Sequence, residues 1–510
     1  MMKKIFYSII FAAVSLTSMT SCSDWLDVRP NNEQVTPEYW QSKEEVEAVL
    51  ASTYFRLREA VPTLIKWGEL RGGSMYTLSL SDSKLQDFSM ISSNKLCDYS
   101  KLYQVIGYAN SVLMYAPQVR SNDDTYYESV LNAHLAEAYF LRAYCYMVLL
   151  KNFSEVPLIT QAYVDDSQTF NVAKATEEQI IAQIKSDVAT ALATGAAKGT
   201  YEEGWQTKGR ATKWALYALG AEVSLWSEDY QACKDYCDMI LNATDSFRPT
   251  FYTNTADWYE IFYPTKNEYS NEGIFELTWN YNSVENSDNN FSSLFDSSTS
   301  TLRLTERLKE ALVDENQQVA ATYAGERTGR MFLATYVGTD ANNMYVWKYN
   351  GNENATTEAG GVRVHKDANF IVYRVAEIIL MKAQAEAMQG NKAEAVALVN
   401  RIRLRAALPA IADTEIDQFT EQTLLEEILH QKEMEFVAEG KRWYDILWLS
   451  RVGGMKYRGL ATSMIEAGNY TANKQMLHIT LGENGAWYMP LPQADLEHNQ
   501  LLVQNPYYKN

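Results

Sequence analysis

The chain of 510 residues carries 45 lysine and arginine residues against 64 aspartate and glutamate residues, which gives a formal charge of −19 at neutral pH. A surface this acidic repels nucleic-acid phosphates, and no basic patch interrupts it, so nucleic-acid binding is excluded. Apolar residues make up 46% of the sequence, enough for a large core in one extended domain with insertions.

The first residues have the layout of an export signal. Lys3 and Lys4 precede the apolar stretch IFYSIIFAAVSL, which is too short to span a bilayer comfortably, and the small residues of TSMTS follow. Cleavage before Cys22 would make cysteine the first mature residue, as in bacterial lipoproteins. We therefore expect a lipoprotein signal peptide over residues 1–21 and lipid on Cys22. The alternative is an ordinary signal peptide followed by an incidental cysteine.

Apolar residues that recur at the helical period predict a mainly α-helical protein. Two segments share one layout, in which an alanine-rich helix, a short polar turn and a second helix follow each other. They are WALYALGAEVSLWSEDYQACKDYCDMIL and EIILMKAQAEAMQGNKAEAVALVNRI, which indicate degenerate tetratricopeptide-type repeats. The predicted helices cover residues 44–60, 101–116, 130–152, 177–194, 210–226, 229–243, 370–389, 391–406 and 422–450.

One of these helices is apolar on all sides. Its run AEAYFLRAYCYMVLL is interrupted by Glu137 and Arg142, so we interpret it as a buried helix and not as a membrane span. The cysteines after Cys22 have no zinc-type spacing, and a disulfide one helical turn apart would be awkward. We expect buried free thiols at Cys97, Cys145, Cys233 and Cys237.

Residues 245–369 differ from the helical segments. They are rich in Asn, Ser, Thr, Tyr and Trp, and IFELTWNY alternates like a short strand. Long irregular segments in a compact domain are usually functional, so we expect ligand contacts here.

Several motifs in a fixed order resemble the SusD/RagB family of outer-membrane lipoproteins over essentially the whole chain. They are CSDWLDVRP, LYQVIGYANSVL, EAYFLRAYCYMVLLKNFSEVPLI, KGRATKWALYAL, VYRVAEIILMKAQAEA, VNRIRLRAALP, EMEFVAEGKRWYDI and WYMPLPQADLEHNQLLVQNPYY. The resemblance implies one SusD-like domain over residues 22–510. It would have a helical scaffold at about residues 40–244 and 370–450, a loop-rich ligand side at about 245–369, and a few short strands.

The resemblance also implies a function. Members of this family are lipid-anchored in the outer membrane, face the cell exterior and capture a nutrient without catalysis or a cofactor. They deliver it, usually as an oligosaccharide, to a SusC-like TonB-dependent transporter. Two alternatives remain open at this point: a peptide-binding RagB-like member, and a helical-repeat adaptor that binds only its transporter.

Charged residues on the apolar helices have a structural interpretation. We expect them to pair inside or beside the core, at Glu137, Arg142, Arg374, Glu377, Glu439, Arg442 and Asp445. A catalytic interpretation would take Glu433, Glu435 or Glu439 as an acid–base pair. Their spacing beside Arg442 is more typical of a paired or solvated face.

A carbohydrate site requires flat aromatic platforms flanked by amides and charges. The chain carries 34 Tyr, 12 Trp and 17 Phe residues, many of them outside the predicted helices. In the regions where the family's site usually lies, the candidate ligand contacts are Trp67, Arg71, Tyr76, Trp279, Tyr281, Asn282 and Trp347. The alternative for each aromatic is that it packs beneath its own loop.

The Cys22→Ala variant should leave the membrane fraction without unfolding, because it lacks the thiol that would carry acyl chains. Each buried methylene of such chains contributes about 0.8 kcal/mol to membrane binding. Radiolabelled palmitate should enter the wild type and not the variant. An unlabelled wild type whose membrane association equals that of the variant would contradict lipidation.

Overall fold

The computed structural model describes residues 39–164, 168–264, 269–280, 288–296, 300–319, 329–331, 335–337, 344–351, 363–469 and 473–509. Residues 42–510 form one compact unit, and only residues 39–41 of the preceding unit, residues 1–41, are described. Cys22, Tyr281 and Asn282 from the sequence predictions lie outside the described residues.

Helices dominate the described residues, which confirms the predicted fold class. The α-helices are α1 (Lys43–Glu59), α2 (Val61–Glu69), α3 (Ser83–Gln86), α4 (Ser100–Asn122), α5 (Glu128–Phe153), α6 (Glu177–Ala193), α7 (Gly204–Gly209), α8 (Lys213–Trp226), α9 (Tyr230–Leu241), α10 (Glu306–Asn316), α11 (Val375–Met388), α12 (Lys392–Arg405), α13 (Glu421–Glu435), α14 (Arg442–Met455), α15 (Arg458–Gly468), α16 (Lys474–Gly482) and α17 (Gln493–His498).

The strands are short and form antiparallel pairs. They are β1 (Met75–Thr77), β2 (Gly273–Leu277), β3 (Leu302–Leu304), β4 (Thr335–Val337), β5 (Met344–Val346) and β6 (Phe370–Arg374). β1 pairs with β3, β2 with β6, and β4 with β5. β2 is the strand that IFELTWNY predicted, and all five of its residues are buried.

Neighbouring helices stack in pairs to make the scaffold. α5 packs against α4 and α6, α8 packs against α9, and α11 packs against both α9 and α12. Every residue of α5 from Phe140 to Phe153 is buried, as predicted for a helix that is apolar on all sides. Of the helices the structure describes, none combines the length and apolar character needed to cross a bilayer.

In the two helix pairs that share a layout in the sequence, the first helices, α8 and α11, end in the same way. Glu228 and Gly390 adopt left-handed backbone angles, with φ of 59° and 80°. In each turn the next residue, Asp229 or Asn391, donates its backbone N–H to a carbonyl five residues earlier. This is the Schellman arrangement that closes a helix and redirects the chain. The shared layout that the sequence predicted is confirmed.

Two predicted helix boundaries are wrong. The segment 370–389 begins with strand β6, because an apolar run with β-branched residues also suits a buried strand, and its partner β2 lies far away in the sequence. The segment 422–450 is broken between α13 and α14, where Ala438 and Gly440 have φ of 64° and 72°. Gly440 lies against Gly68 of α2. A Cβ added to Gly68 would come within 1.9 Å of the Gly440 carbonyl oxygen.

Buried polar groups follow the sequence predictions. The cysteines Cys97, Cys145, Cys233 and Cys237 are buried and unpaired. All the helix charges expected to pair do so. The partners are Arg210 for Glu137, Asp187 for Arg142, Lys441 for Glu377, Glu433 for Arg442 and Lys432 for Asp445, and Arg374 pairs with Glu439.

The most deeply buried charges form one cluster, which we call the core ion network. Its side chains have no measurable exposure: Glu272, Lys348, Arg374, Arg405, Glu435 and Glu439. Arg374 donates to Glu272 (3.0 Å), Glu435 (2.7 Å) and Glu439 (2.9 Å). Arg405 bridges Glu272 (2.8 Å) and Glu435 (2.6 Å), and Lys348 donates to Glu439 (2.6 Å). Within this set three cations balance three carboxylates, and the buried Arg330–Glu315 pair adjoins it, with Arg330 3.8 Å from Glu435.

The Arg374→Met variant should destabilise the fold by roughly 3–5 kcal/mol, because three buried carboxylates would lose a shared partner. Urea unfolding followed by tryptophan fluorescence measures this change. Arg56→Met is the matched control, since Arg56 pairs with Glu59 at the surface and should unfold near the wild-type midpoint. Equal midpoints for the two variants would show that the network does not stabilise the fold.

Glu433 lies in a second buried ion cluster, with Arg307, Arg442 and the Ser74 hydroxyl. Burial acts to raise the pKa of its carboxyl, but Arg442 and Arg307 outweigh this effect and lower the pKa to about 2. A carboxyl whose pKa is depressed on folding stabilises the protein above its unfolded pKa. That contribution is lost as the pH falls toward the folded pKa.

Glu433→Gln should therefore lower the free energy of unfolding by about 3 kcal/mol at pH 7. The loss should become progressively smaller as the pH falls from about 4.5 to about 2. Urea unfolding at a series of pH values measures the difference from wild type. The exposed Glu394 provides the control variant Glu394→Gln, for which we expect little difference at any pH. A cost for Glu433→Gln that does not change with pH would exclude the carboxylate charge as its cause.

Candidate functional site

Three of the predicted ligand contacts are buried. Trp67 on α2 is 1% exposed, and its indole N–H donates to the Leu96 carbonyl (2.8 Å). The Arg71 guanidinium lies 4.2 Å from the centre of the Trp443 ring and donates to the Asn152 amide oxygen (2.8 Å). Burial lowers the pKa of Arg71 to about 10. Both side chains stabilise the fold, as the packing alternative described, and offer no face to a ligand.

Trp347 is also buried, at 1% exposure. Gly351 lies so close to its indole that a Cβ would come within 1.8 Å of Nε1. The prediction of ligand contact is therefore corrected for Trp67, Arg71 and Trp347. Loop position suggested exposure, but tertiary packing covers these side chains. Tyr76 differs, because it is half-buried on β1 opposite Arg303.

Trp279 belongs to a surface cluster that we call the aromatic platform, which consists of Phe55, Arg58 and Trp279. The Arg58 guanidinium carbon lies 5.3 Å from the centre of the Phe55 ring and 5.6 Å from that of Trp279. Trp279 is half-buried, and Phe55 is 45% exposed. The platform therefore combines two partly exposed aromatic side chains with a cation that lies near both rings.

Contacts beneath the platform fix its geometry. Arg58 donates from Nη1 to the Thr278 carbonyl (2.9 Å), which joins the end of α1 to the residue before Trp279. The Trp279 backbone N–H donates to the Asn369 side chain (3.1 Å), and its ring packs edge-on against Phe291 at 5.4 Å. Burial lowers the pKa of Arg58. These contacts hold Arg58 and the Trp279 ring in place.

Sequence analysis identified Trp279 but missed Phe55 and Arg58. The buried positions of α1 are Val46, Leu50, Thr53 and Leu57, which form the apolar stripe of the helix. Phe55 lies off this stripe, and an aromatic on the polar face of an amphipathic helix is a detectable signal of a surface role. Arg58 follows three residues later, on the same face.

The acidic residues considered for catalysis have structural partners instead. Glu433, Glu435 and Glu439 are buried, and each accepts hydrogen bonds from arginine or lysine. Carboxylates held in this way are neither free to accept a proton nor open to a substrate. Within the described ranges, no three His, Cys, Asp or Glu side chains come together as metal ligands.

The described residues define the class of fold: a scaffold of paired helices in a tetratricopeptide-like layout, with a few short antiparallel strands. The SusD family matches residues 197–508, and a family described as starch-binding and associating with the outer membrane matches residues 24–225. The chain belongs to the SusD family.

Individual relatives agree with this assignment. The SusD-like protein P38 of Formosa agariphila is 23% identical over 478 residues, which cover 85% of this chain and 89% of that protein. The SusD-like protein P2 of the same organism is 24% identical over 555 residues, covering 99% of this chain and all of that protein.

Solved structures confirm the fold. A SusD superfamily protein from Bacteroides vulgatus superposes with a TM-score of 0.72 at 19% identity and covers 92% of this chain and 99% of its own. A laminarin-binding SusD-like protein superposes with a TM-score of 0.68 at 20% identity, and the match covers 92% of this chain and 100% of that chain. Surface glycan-binding protein A from Bacteroides uniformis superposes with a TM-score of 0.69 at 20% identity, and the match covers 91% of this chain and 100% of that chain.

Proposed function

We propose that this protein captures an oligosaccharide at the aromatic platform, on the outer surface of the cell. The observation that carries the proposal is the pair of partly exposed aromatic side chains, Phe55 and Trp279, with Arg58 near both rings. Sugar rings have apolar C–H faces that stack on aromatic rings, and their hydroxyls hydrogen-bond to neighbouring amides and charges. Asn290, whose side chain donates to the Arg58 carbonyl (3.2 Å), supplies an exposed amide beside the rings.

The relatives support a glycan ligand. One structural relative is a laminarin-binding protein, another is a surface glycan-binding protein, and one matching family is described as starch-binding. Among the predicted contacts, the proposal retains Trp279 and the half-buried Tyr76, together with Tyr281 and Asn282 beyond the described part of this loop.

The proposal includes the anchor and the partner. Lipid on Cys22 holds the protein at the outer membrane, facing outward, and a SusC-like TonB-dependent transporter receives the ligand. The lipoprotein-type signal in the sequence supports the first point, and the description of one matching family as outer-membrane-associated agrees with it. The proposed role is binding without catalysis, and the paired state of Glu433, Glu435 and Glu439 supports it for these three residues.

Trp279→Ala should weaken oligosaccharide binding about thirty-fold, since losing an aromatic hot-spot contact costs on the order of 2 kcal/mol. Its melting temperature should stay near that of the wild type. A glycan array with starch and laminarin oligosaccharides, followed by calorimetry, provides the affinity. Trp67→Ala is the matched control, because it truncates a buried tryptophan. Its loss should destabilise the fold by roughly 3–5 kcal/mol.

Two outcomes would contradict the proposal. If Trp279→Ala binds the selected oligosaccharide as tightly as wild type, the platform is not the site. If the wild type binds peptides from a tryptic digest and no glycan on the array, the peptide-binding alternative holds instead.

A further inference from the structure

A second aromatic feature lies on the helical scaffold. It is an open cleft of about 580 Å³, which we call the Phe247 cleft, and its lining includes Lys198, Tyr201, Glu202, Lys213, Asp245 and Phe247. Phe247 is 64% exposed, so its ring is open to contact with a ligand in the cleft. The volume lies within the range of pockets that hold small organic ligands.

The chemistry of the cleft indicates an uncharged ligand rich in hydroxyl groups. Lys213 pairs with Asp245 (2.8 Å), and its Nζ lies 4.3 Å from the centre of the Trp214 ring. Lys198 lies 4.7 Å from the centre of the Tyr201 ring, and Glu202 also lines the cleft. Two lysines therefore face two acids, so the lining favours neither anions nor cations. An exposed ring with donors and acceptors around it suits a sugar.

The short helix α7 connects this cleft to the aromatic platform. The Tyr201 backbone N–H in the cleft wall donates to the Thr207 hydroxyl on α7 (2.9 Å). Two residues further along the same helix, Gly209 packs on Thr278, where a Cβ added to Gly209 would lie 3.0 Å from the hydroxyl oxygen. Thr278 is the residue that binds Arg58 of the platform. The helix of six residues is about 9 Å long, and the two contacts lie within one helical turn of each other.

An exposed ring also lies on the connecting helix itself. Trp205 of α7 keeps 47% of its surface in solvent. Exposed aromatic side chains are therefore found on the platform, on α7 and in the Phe247 cleft, and the contacts at Thr207 and Gly209 link the three segments.

We propose that the platform and the Phe247 cleft are two ends of one extended binding surface, which takes a single long oligosaccharide across α7. This inference rests on the proposed function and deepens it, because it assigns the ligand class as long, uncharged glycan chains. Short oligosaccharides would occupy the platform alone, and longer chains would gain the contact with Phe247.

The test is calorimetry on a size series of the oligosaccharide selected on the array, from the disaccharide upward. Affinity should rise with chain length for the wild type. Phe247→Ala should lose about ten-fold in affinity for the longest chains and bind the shortest ones normally. Phe170→Ala, at another ring of similar exposure (57%), is the control and should bind all sizes like the wild type.

Different failures have different meanings. If the wild type binds no oligosaccharide of any size, the proposed function fails. If it binds and Phe247→Ala matches it at every length, the proposed function stands and the extended surface is excluded. Two short molecules bound per protein, one of them lost in Phe247→Ala, would show two independent sites and would also overturn the inference.

Discussion

The requirement to neutralise buried charge in the core ion network constrains the rest of the structure. Its charged groups have no access to water, so each would cost several kcal/mol without a partner. Glu272 and Lys348 come from the loop-rich segment, whereas Arg405 and Glu435 end α12 and α13 of the scaffold. The charges balance only when the loops and helices meet in one arrangement. The network thereby fixes how Glu272 and Lys348, with the strands β2 and β5 next to them, lie on the helices.

The aromatic platform lies at the opposite end of the same two-stranded sheet. Gly273 of β2 faces Arg374 of β6 at the network end, and Leu277 faces Phe370 at the other. Trp279 follows β2 by two residues, and its backbone is held by Asn369, the residue just before β6. A strand of five residues spans about 17 Å. The buried strand pair is held at one end by the core ion network, so it also fixes where the half-buried Trp279 lies at the other end.

The sequence was informative wherever structure depends on neighbours in the chain. Helical periodicity and the polar turns at Glu228 and Gly390 predicted the scaffold, and charges on apolar helices predicted the buried pairs. Prediction from the sequence failed where the structure depends on residues that are distant in the chain. Strand β6 requires β2 about a hundred residues earlier, and Trp67 and Trp347 are covered by segments that no local pattern identifies. Phe55 was detectable in principle, because it departs from the stripe of α1.

Under the proposed function, Arg58 also limits which ligands the platform can recognise. Its Nη1 already donates to the Thr278 carbonyl, and its guanidinium lies near both rings, so its main effect is to orient Phe55 and Trp279. Two flat rings distinguish sugars poorly and bind each one weakly. Selectivity and affinity on such a surface must come from several modest contacts made along one chain, because each later contact forms at a high effective concentration. A surface that continues over α7 meets this requirement, and a platform of two rings alone does not.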